Sequence, residues 1–139
     1  MPRAYPRSSF ATDPQTVAVI DTGSNSVRME IAELDAGGGI RILERVQKSI
    51  RLGHDTFRRG QLSQETIRAL VNTFRSYRKL LDFYGVQRVR AVATSAVREA
   101  SNSDLLLGRV MTATGIEIEL IDHLEESRLI VRALLDDPQ

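Results

Sequence analysis

The stretch Val17-Ala18-Val19-Ile20-Asp21-Thr22-Gly23-Ser24-Asn25-Ser26-Val27-Arg28-Met29 decides the fold. Four apolar residues lead into an aspartate, a short polar turn follows, and the chain resumes in an apolar–polar alternation. An uninterrupted apolar run bounded by turn residues predicts a strand buried on both faces. Asp21 then stands where that strand ends, a usual place for a carboxylate that orients a metal-bound water. Gly23 lets the backbone approach an anion, and Ser24, Asn25 and Ser26 add side-chain donors to the amides of the turn. Consecutive amides in such a turn form an anion-binding concavity. The same residues also suit an ordinary hairpin in which Asp21 satisfies the turn.

Upstream, residues 1–15 hold three of the four prolines with Ser, Thr and Arg, the composition of a disordered tail. Downstream, Val27, Met29 and Ile31 alternate with Arg28 and Glu30, which predicts a strand over 27–34 with one wet face. Asp35-Ala36-Gly37-Gly38-Gly39 is a hairpin turn. Ile40, Ile42 and Val46 carry a third strand to about Leu52, completing an antiparallel meander. Residues 53–60 are polar and bounded by Gly53 and Gly60, so they read as a loop. Ser63 caps a long helix to about Tyr84, with Ile67, Leu70, Val71, Phe74, Tyr77, Leu80 and Leu81 at helical spacing and Gly85 closing it. Residues 86–94 form a buried strand that pairs parallel after a helical crossover. A helix starts at Asn102 or Ser103 and ends at Gly115. Residues 116–121 make a fifth strand and residues 124–135 a last amphipathic helix.

The order β-β-β-α-β-α-β-α is the ribonuclease H-like layout, an α/β fold with a five-stranded mixed sheet and helices on both faces. In such a sheet ligands gather at the C-terminal ends of the first, fourth and fifth strands. Those ends carry Asp21-Thr22-Gly23-Ser24, Thr94-Ser95-Ala96-Val97-Arg98 and Asp122-His123-Leu124-Glu125-Glu126. Three polar tips directed at one spot point to a site more strongly than any one of them does.

Composition narrows the chemistry. A chain of 139 residues suits one domain or one lobe of a larger protein. Its 19 basic and 18 acidic residues leave a formal charge of +1, against a bulk electrostatic nucleic-acid binder. There is no cysteine, which excludes disulfides, thiolate zinc sites and cysteine nucleophiles and fits a cytoplasmic location. No segment approaches the ~20 apolar residues of a membrane span, and no apolar run makes a secretory signal.

Thr94, Ser95 and Arg98 suit a second phosphate clamp of hydroxyls, helix-end amides and a guanidinium that grips oxygens bidentately. They equally suit a Ser/Thr helix cap followed by a solvated arginine. Glu125 and Glu126 open the last helix, where acids complement the helix dipole. One of them is a candidate general base if it faces the cleft and burial raises its pKa. His54 lies in a polar segment, and His123 stands near the site without a partner at metal-ligand spacing. Arg58, Arg59, Arg51 and Lys48 make a local basic patch, a solvated surface or a means of steering a polyanion.

Four motifs resemble the exopolyphosphatase / guanosine pentaphosphate phosphohydrolase (Ppx/GppA) family of the actin-like ATPase superfamily. Ile20-Asp21-Thr22-Gly23-Ser24-Asn25-Ser26-Val27-Arg28 looks like its first phosphate loop. Arg51-Leu52-Gly53, then Gly60-Gln61-Leu62-Ser63, resembles its R-L-G … G-x-L-S stretch. Ala93-Thr94-Ser95-Ala96-Val97-Arg98-Glu99-Ala100 with Asn102 matches its A-T-S-A-x-R-x-A-x-N block. Glu125-Glu126-Ser127-Arg128-Leu129-Ile130 is similar to its E-E-A-R-L-I motif, with Ser127 in place of Ala.

The resemblance implies hydrolysis of the terminal phosphoanhydride of polyphosphate or guanosine pentaphosphate. It implies Glu126 as catalytic base and phosphate contacts at Ser24, Asn25, Ser26 and Arg98, which Gly23, Thr94 and Ser95 are expected to join from the turn and clamp readings above. Asp21 is expected to meet Mg²⁺ through water, and a homodimer of the full-length protein is compatible with the family. The family's second phosphate loop, D-x-G-G-G-S-x-E, supplies magnesium ligands and opens its second lobe. It has no counterpart after Glu126, and Gly37-Gly38-Gly39 is misplaced and lacks the acids. Residues 16–139 are therefore expected to be an N-terminal lobe alone, with half a cleft and little or no turnover. Three other readings exist: a lobe of an ATP-dependent sugar or acetate kinase, a non-catalytic module that senses polyphosphate or guanosine tetraphosphate, and a ribonuclease H-type nuclease. The Glu125-Glu126 motif speaks against the kinase, and the lack of an acid on the fourth strand against the nuclease.

Overall fold

The structure, a computed structural model, describes residues 14–122. The last helix expected over 124–135, with His123, Glu125 and Glu126, lies outside the described residues, as does most of the tail. Strand β1 (Gln15–Thr22) pairs antiparallel with β2 (Ser26–Leu34), which pairs antiparallel with β3 (Ile40–Ser49). Strand β4 (Arg88–Ala93) lies parallel to β1, and β5 (Ile118–Leu120) parallel to β4. The sheet order β3-β2-β1-β4-β5 puts β1 in the centre, and the fold is the ribonuclease H-like one that the element order predicts. β1 is central because its residues are apolar on both faces. Ala18 and Ile20 join the helix-side core, whereas Val17 and Val19 are buried by strand alternation on the opposite face.

Helix α2 (Gln64–Phe83) follows the expected pattern. The Ser63 hydroxyl accepts from the Thr66 N–H at 3.1 Å, and Gly85 ends the segment at φ +63°. Its stripe of Ile67, Leu70, Phe74, Tyr77 and Leu81 lies over Ile20, Met29 and Ala91. Each such large side chain contributes about 1.5–3 kcal/mol by leaving water. The Tyr77 hydroxyl donates to the Val27 carbonyl at 2.6 Å, and burial pushes its pKa up to about 12. Helix α4 (Ser103–Thr114) packs beside α2 and ends at Gly115, φ +72°.

Two expectations need correction. Residues 53–60 are not a loop: Leu52–Arg59 is a helix, α1. Its buried residues are Leu52, Gly53, Asp55 and Thr56; of those at i, i+3 and i+4 only Leu52 is apolar, which hides the apolar period. Gly60 closes α1 in the left-handed region, with its N–H on the Thr56 carbonyl at 2.8 Å. The third strand also stops early, at Ser49: the Ile50 N–H makes one last in-register bond to the Asn25 carbonyl at 3.1 Å, and the chain then turns into α1, with the Leu52 N–H on the Ile50 carbonyl at 3.0 Å. A one-turn helix that the sequence reading lacks, α3 (Ser95–Arg98), directly follows β4.

Candidate active site

Three strand ends lie side by side because the parallel ladders carry on past them. The Thr94 N–H donates to the Thr22 carbonyl at 3.2 Å, and the Ile121 N–H to the Ala93 carbonyl at 3.0 Å. Thr22, Ala93 and Leu120 are register partners, so the tips of β1, β4 and β5 form one row. Asp21, Thr94, Ser95 and Asp122 therefore share one edge of the sheet. Arg98 is tied to the same row, its Nη1 donating to the Ile121 carbonyl at 2.7 Å. The other guanidinium donors of this exposed side chain have no partner among the described residues, so they are open to anionic oxygens.

The turn between β1 and β2 is held from both sides. The Gly23 N–H donates to the Ser26 carbonyl at 3.0 Å. The Asn25 and Ser24 carbonyls accept from Ile50 and Gly53, the latter at 2.8 Å. Among the described residues no carbonyl takes the N–H groups of Ser24 and Asn25, which leaves two neighbouring amides for an anion. The approach of α1 is close. A Cβ on Gly53 would lie 3.1 Å from the Ser24 Cβ and 3.1 Å from the Phe57 ring.

Helix α1 also supports the Arg98 turn. The Thr56 hydroxyl donates to the Ala96 carbonyl at 2.6 Å in a buried contact. On its other side the Asp55 Oδ2 accepts the Ser63 N–H at 2.9 Å. Burial works to raise the Asp55 carboxyl, but hydrogen bonds from Thr66 and Ser63 and the charge of Arg59 outweigh it and hold its pKa below the usual value. Thr56 escaped the sequence reading because 53–60 was expected to be a loop; its i+4 spacing from Leu52 is the signal that marks it.

The cap reading of the second segment holds in position, with Arg98 exposed, but not in hydrogen bonding. Thr94 caps α3 by position only, with no side-chain hydrogen bond to the helix, and it is 5% exposed. Ser95 is half-buried and nearer the surface. His54, Arg51, Arg58, Arg59 and Lys48 are all exposed. Grooves of about 460 and 650 Å³ lie elsewhere, between β4 and β5 and between α2 and α4. No group of three or more His, Asp or Glu able to hold a metal occurs among the described residues, and no helix there is long and apolar enough to cross a membrane.

The sequence model of the Ppx/GppA phosphatase family matches residues 30–137. Exopolyphosphatase 1 of Mycobacterium leprae is 32% identical over 118 residues, 85% of this chain and 35% of that protein. The guanosine-5'-triphosphate,3'-diphosphate pyrophosphatase of Photobacterium profundum is 28% identical over 117 residues, 84% of this chain and 23% of that protein. The crystal structure of the Aquifex aeolicus member of the Ppx/GppA family superposes with a TM-score of 0.80 at 35% identity, over 87% of this chain and 40% of that one. The chain thus spans about a third of the length of the exopolyphosphatase it matches. With the family model covering most of its residues and the fold shared at this level, the chain belongs to the Ppx/GppA phosphatase family.

Proposed function

We propose that this chain is the phosphate-gripping N-terminal lobe, residues 16–139, of a cytoplasmic hydrolase that removes the terminal phosphate of inorganic polyphosphate or guanosine pentaphosphate. The observation that carries the reading is the row of strand tips, with Arg98 tethered to Ile121 beside it and the amides of Ser24 and Asn25 taken by no carbonyl among the described residues. In this reading Gly23, Ser24, Asn25 and Ser26 cradle one end of the phosphate chain, and Thr94, Ser95 and Arg98 clamp its oxygens. Glu126, from the E-E-S-R motif, removes a proton from a water aligned with the terminal phosphorus. A new P–O bond forms as the anhydride P–O bond breaks, releasing orthophosphate and a chain shorter by one unit. Arg98 and the turn amides hold the charge that builds on the phosphoryl oxygens.

Magnesium is the cofactor that the family resemblance implies. Asp21 supplies one carboxylate at the strand tip, which suits contact through water, since Mg²⁺ keeps several waters and takes one or two carboxylates plus substrate phosphates. When bound, the ion would neutralise phosphate charge. The remaining ligands would come from outside the described residues.

Two measurements test the reading. In a protein carrying this chain and the rest of a relative's length, Glu126→Gln is expected to abolish phosphate release while substrate still binds. Release at the unaltered rate would remove the base assignment. In the 139-residue chain, Arg98→Ala is expected to weaken tripolyphosphate binding at least tenfold. Binding without hydrolysis in the longer protein would favour a sensing module instead.

A further inference from the structure

Away from the strand tips, α2 and α4 enclose a groove of about 650 Å³. Arg68 and Arg75 of α2 and Arg109 of α4 line it, all three exposed. Among the described residues none forms an ion pair, and Arg75 reaches only the Asn72 side-chain oxygen at 3.5 Å, the outer limit of a hydrogen bond. Arg78, by contrast, pairs with Asp82 one turn away. The only carboxylate in the lining is Asp104, in the first turn of α4, where it complements the helix dipole. Three like charges around one hollow repel one another unless an anion lies between them.

Gly108 also lines this groove. It sits in the interior of the twelve-residue α4, where glycine weakens a helix relative to alanine. Its φ is not positive, and a Cβ there would meet nothing within 4 Å. Among the described residues, neither backbone conformation nor packing calls for it. Its lack of a side chain leaves that part of the α4 wall as bare backbone.

The length of the charged row selects the ligand. Arg68 and Arg75 are two turns apart, about 10 Å along the axis, with Arg109 on the facing wall. One phosphate cannot reach both ends, whereas a string of phosphates can, each guanidinium gripping a pair of oxygens. We infer that the α2/α4 groove binds a linear polyphosphate chain at a second site that holds the polymer without cleaving it. The inference rests on the proposed phosphoanhydride substrate and narrows it to the polymer.

The test is calorimetric titration of the 139-residue chain, at fixed ionic strength, with long-chain polyphosphate, guanosine tetraphosphate and poly-glutamate. Long-chain polyphosphate is expected to bind, and Arg68→Ala/Arg75→Ala/Arg109→Ala to weaken that binding at least tenfold with a flatter salt dependence. Gly108→Ala is expected to raise Tm yet lower the affinity, an opposition that loss of fold cannot produce. The inference is overturned by no binding, by undiminished binding in the triple variant, or by equal binding of guanosine tetraphosphate or poly-glutamate. If only Arg98→Ala removes polyphosphate binding, the groove site falls and the strand-tip reading stands. If only the triple variant removes it, the groove stands and the strand-tip reading falls.

Discussion

The Asn102 side chain pairs with the backbone of Leu62 in both directions: its Oδ1 accepts the Leu62 N–H at 2.9 Å, and its Nδ2 donates to the Leu62 carbonyl at 2.8 Å. The amide thereby stands in for a strand neighbour. Together with the bond from the Ser101 N–H to the Gly60 carbonyl, 2.8 Å, it fastens the turn between α1 and α2 to the start of α4. The elements that carry Ser24, Thr56 and Arg98 thus belong to one bonded unit.

Asn102→Ala removes both bonds and leaves two polar groups of the buried Leu62 unpaired. The expected loss of stability is about 1–3 kcal/mol, read as a lower urea midpoint at unchanged m-value. A midpoint equal to wild type would show that water replaces the amide without cost.

Thr56→Val keeps the shape of the side chain but deletes the donor to the buried Ala96 carbonyl. A cost of about 1–3 kcal/mol is expected from the unsatisfied acceptor. Because Ala96 lies in the turn that positions Arg98, tripolyphosphate affinity should fall as well. A loss of stability with unaltered affinity would separate α1 from the site.

Gly53→Ala sets two effects against each other. Helix propensity favours alanine, but the added methyl would meet Ser24, whose carbonyl is bonded to Gly53 itself. The Phe57 ring, 57% exposed, can swing away; the bonded Ser24 turn cannot do so without losing that bond. Overpacking of this kind costs about 1–3 kcal/mol, so thermal unfolding should show a lower Tm. A higher Tm would mean that the turn yields freely.

Tyr77 sets an alkaline limit. Its folded pKa of about 12 exceeds the ordinary value of 10.0, so the unfolded chain loses the phenolic proton first. The associated stability is complete below pH 10 and disappears as the pH rises through about 12. At about 1.4 kcal/mol per unit, the loss is roughly 2–3 kcal/mol. In Tyr77→Phe, stability at neutral pH should fall by about 1 kcal/mol through loss of the bond to Val27, and the alkaline slope should flatten. An unchanged slope would assign it to other groups.

Much of this protein was legible in its amino-acid order. The apolar run of β1, the alternation of β2, the Ser63 cap and the stripe of α2 each carry a period or a local hydrogen bond, and such signals act within a few residues. They sufficed for the sheet, its parallel crossover and the alignment of the β1, β4 and β5 ends.

Tertiary structure alone decided how that edge is braced. Helix α1 went unread because Asp55 and Thr56, two of its buried residues, are polar and find their hydrogen-bond partners outside the helix, Asp55 in Ser63 and Thr66 and Thr56 in the Ala96 carbonyl. Asn102 leaves α4 without a side-chain cap because its amide is committed to Leu62, forty residues earlier in the chain. The row of arginines along α2 and α4 likewise exists only once the two helices pack side by side. Hydrophobic period survives in sequence because burial repeats with the backbone; a hydrogen bond across forty residues leaves no period, since its partner is chosen by the fold.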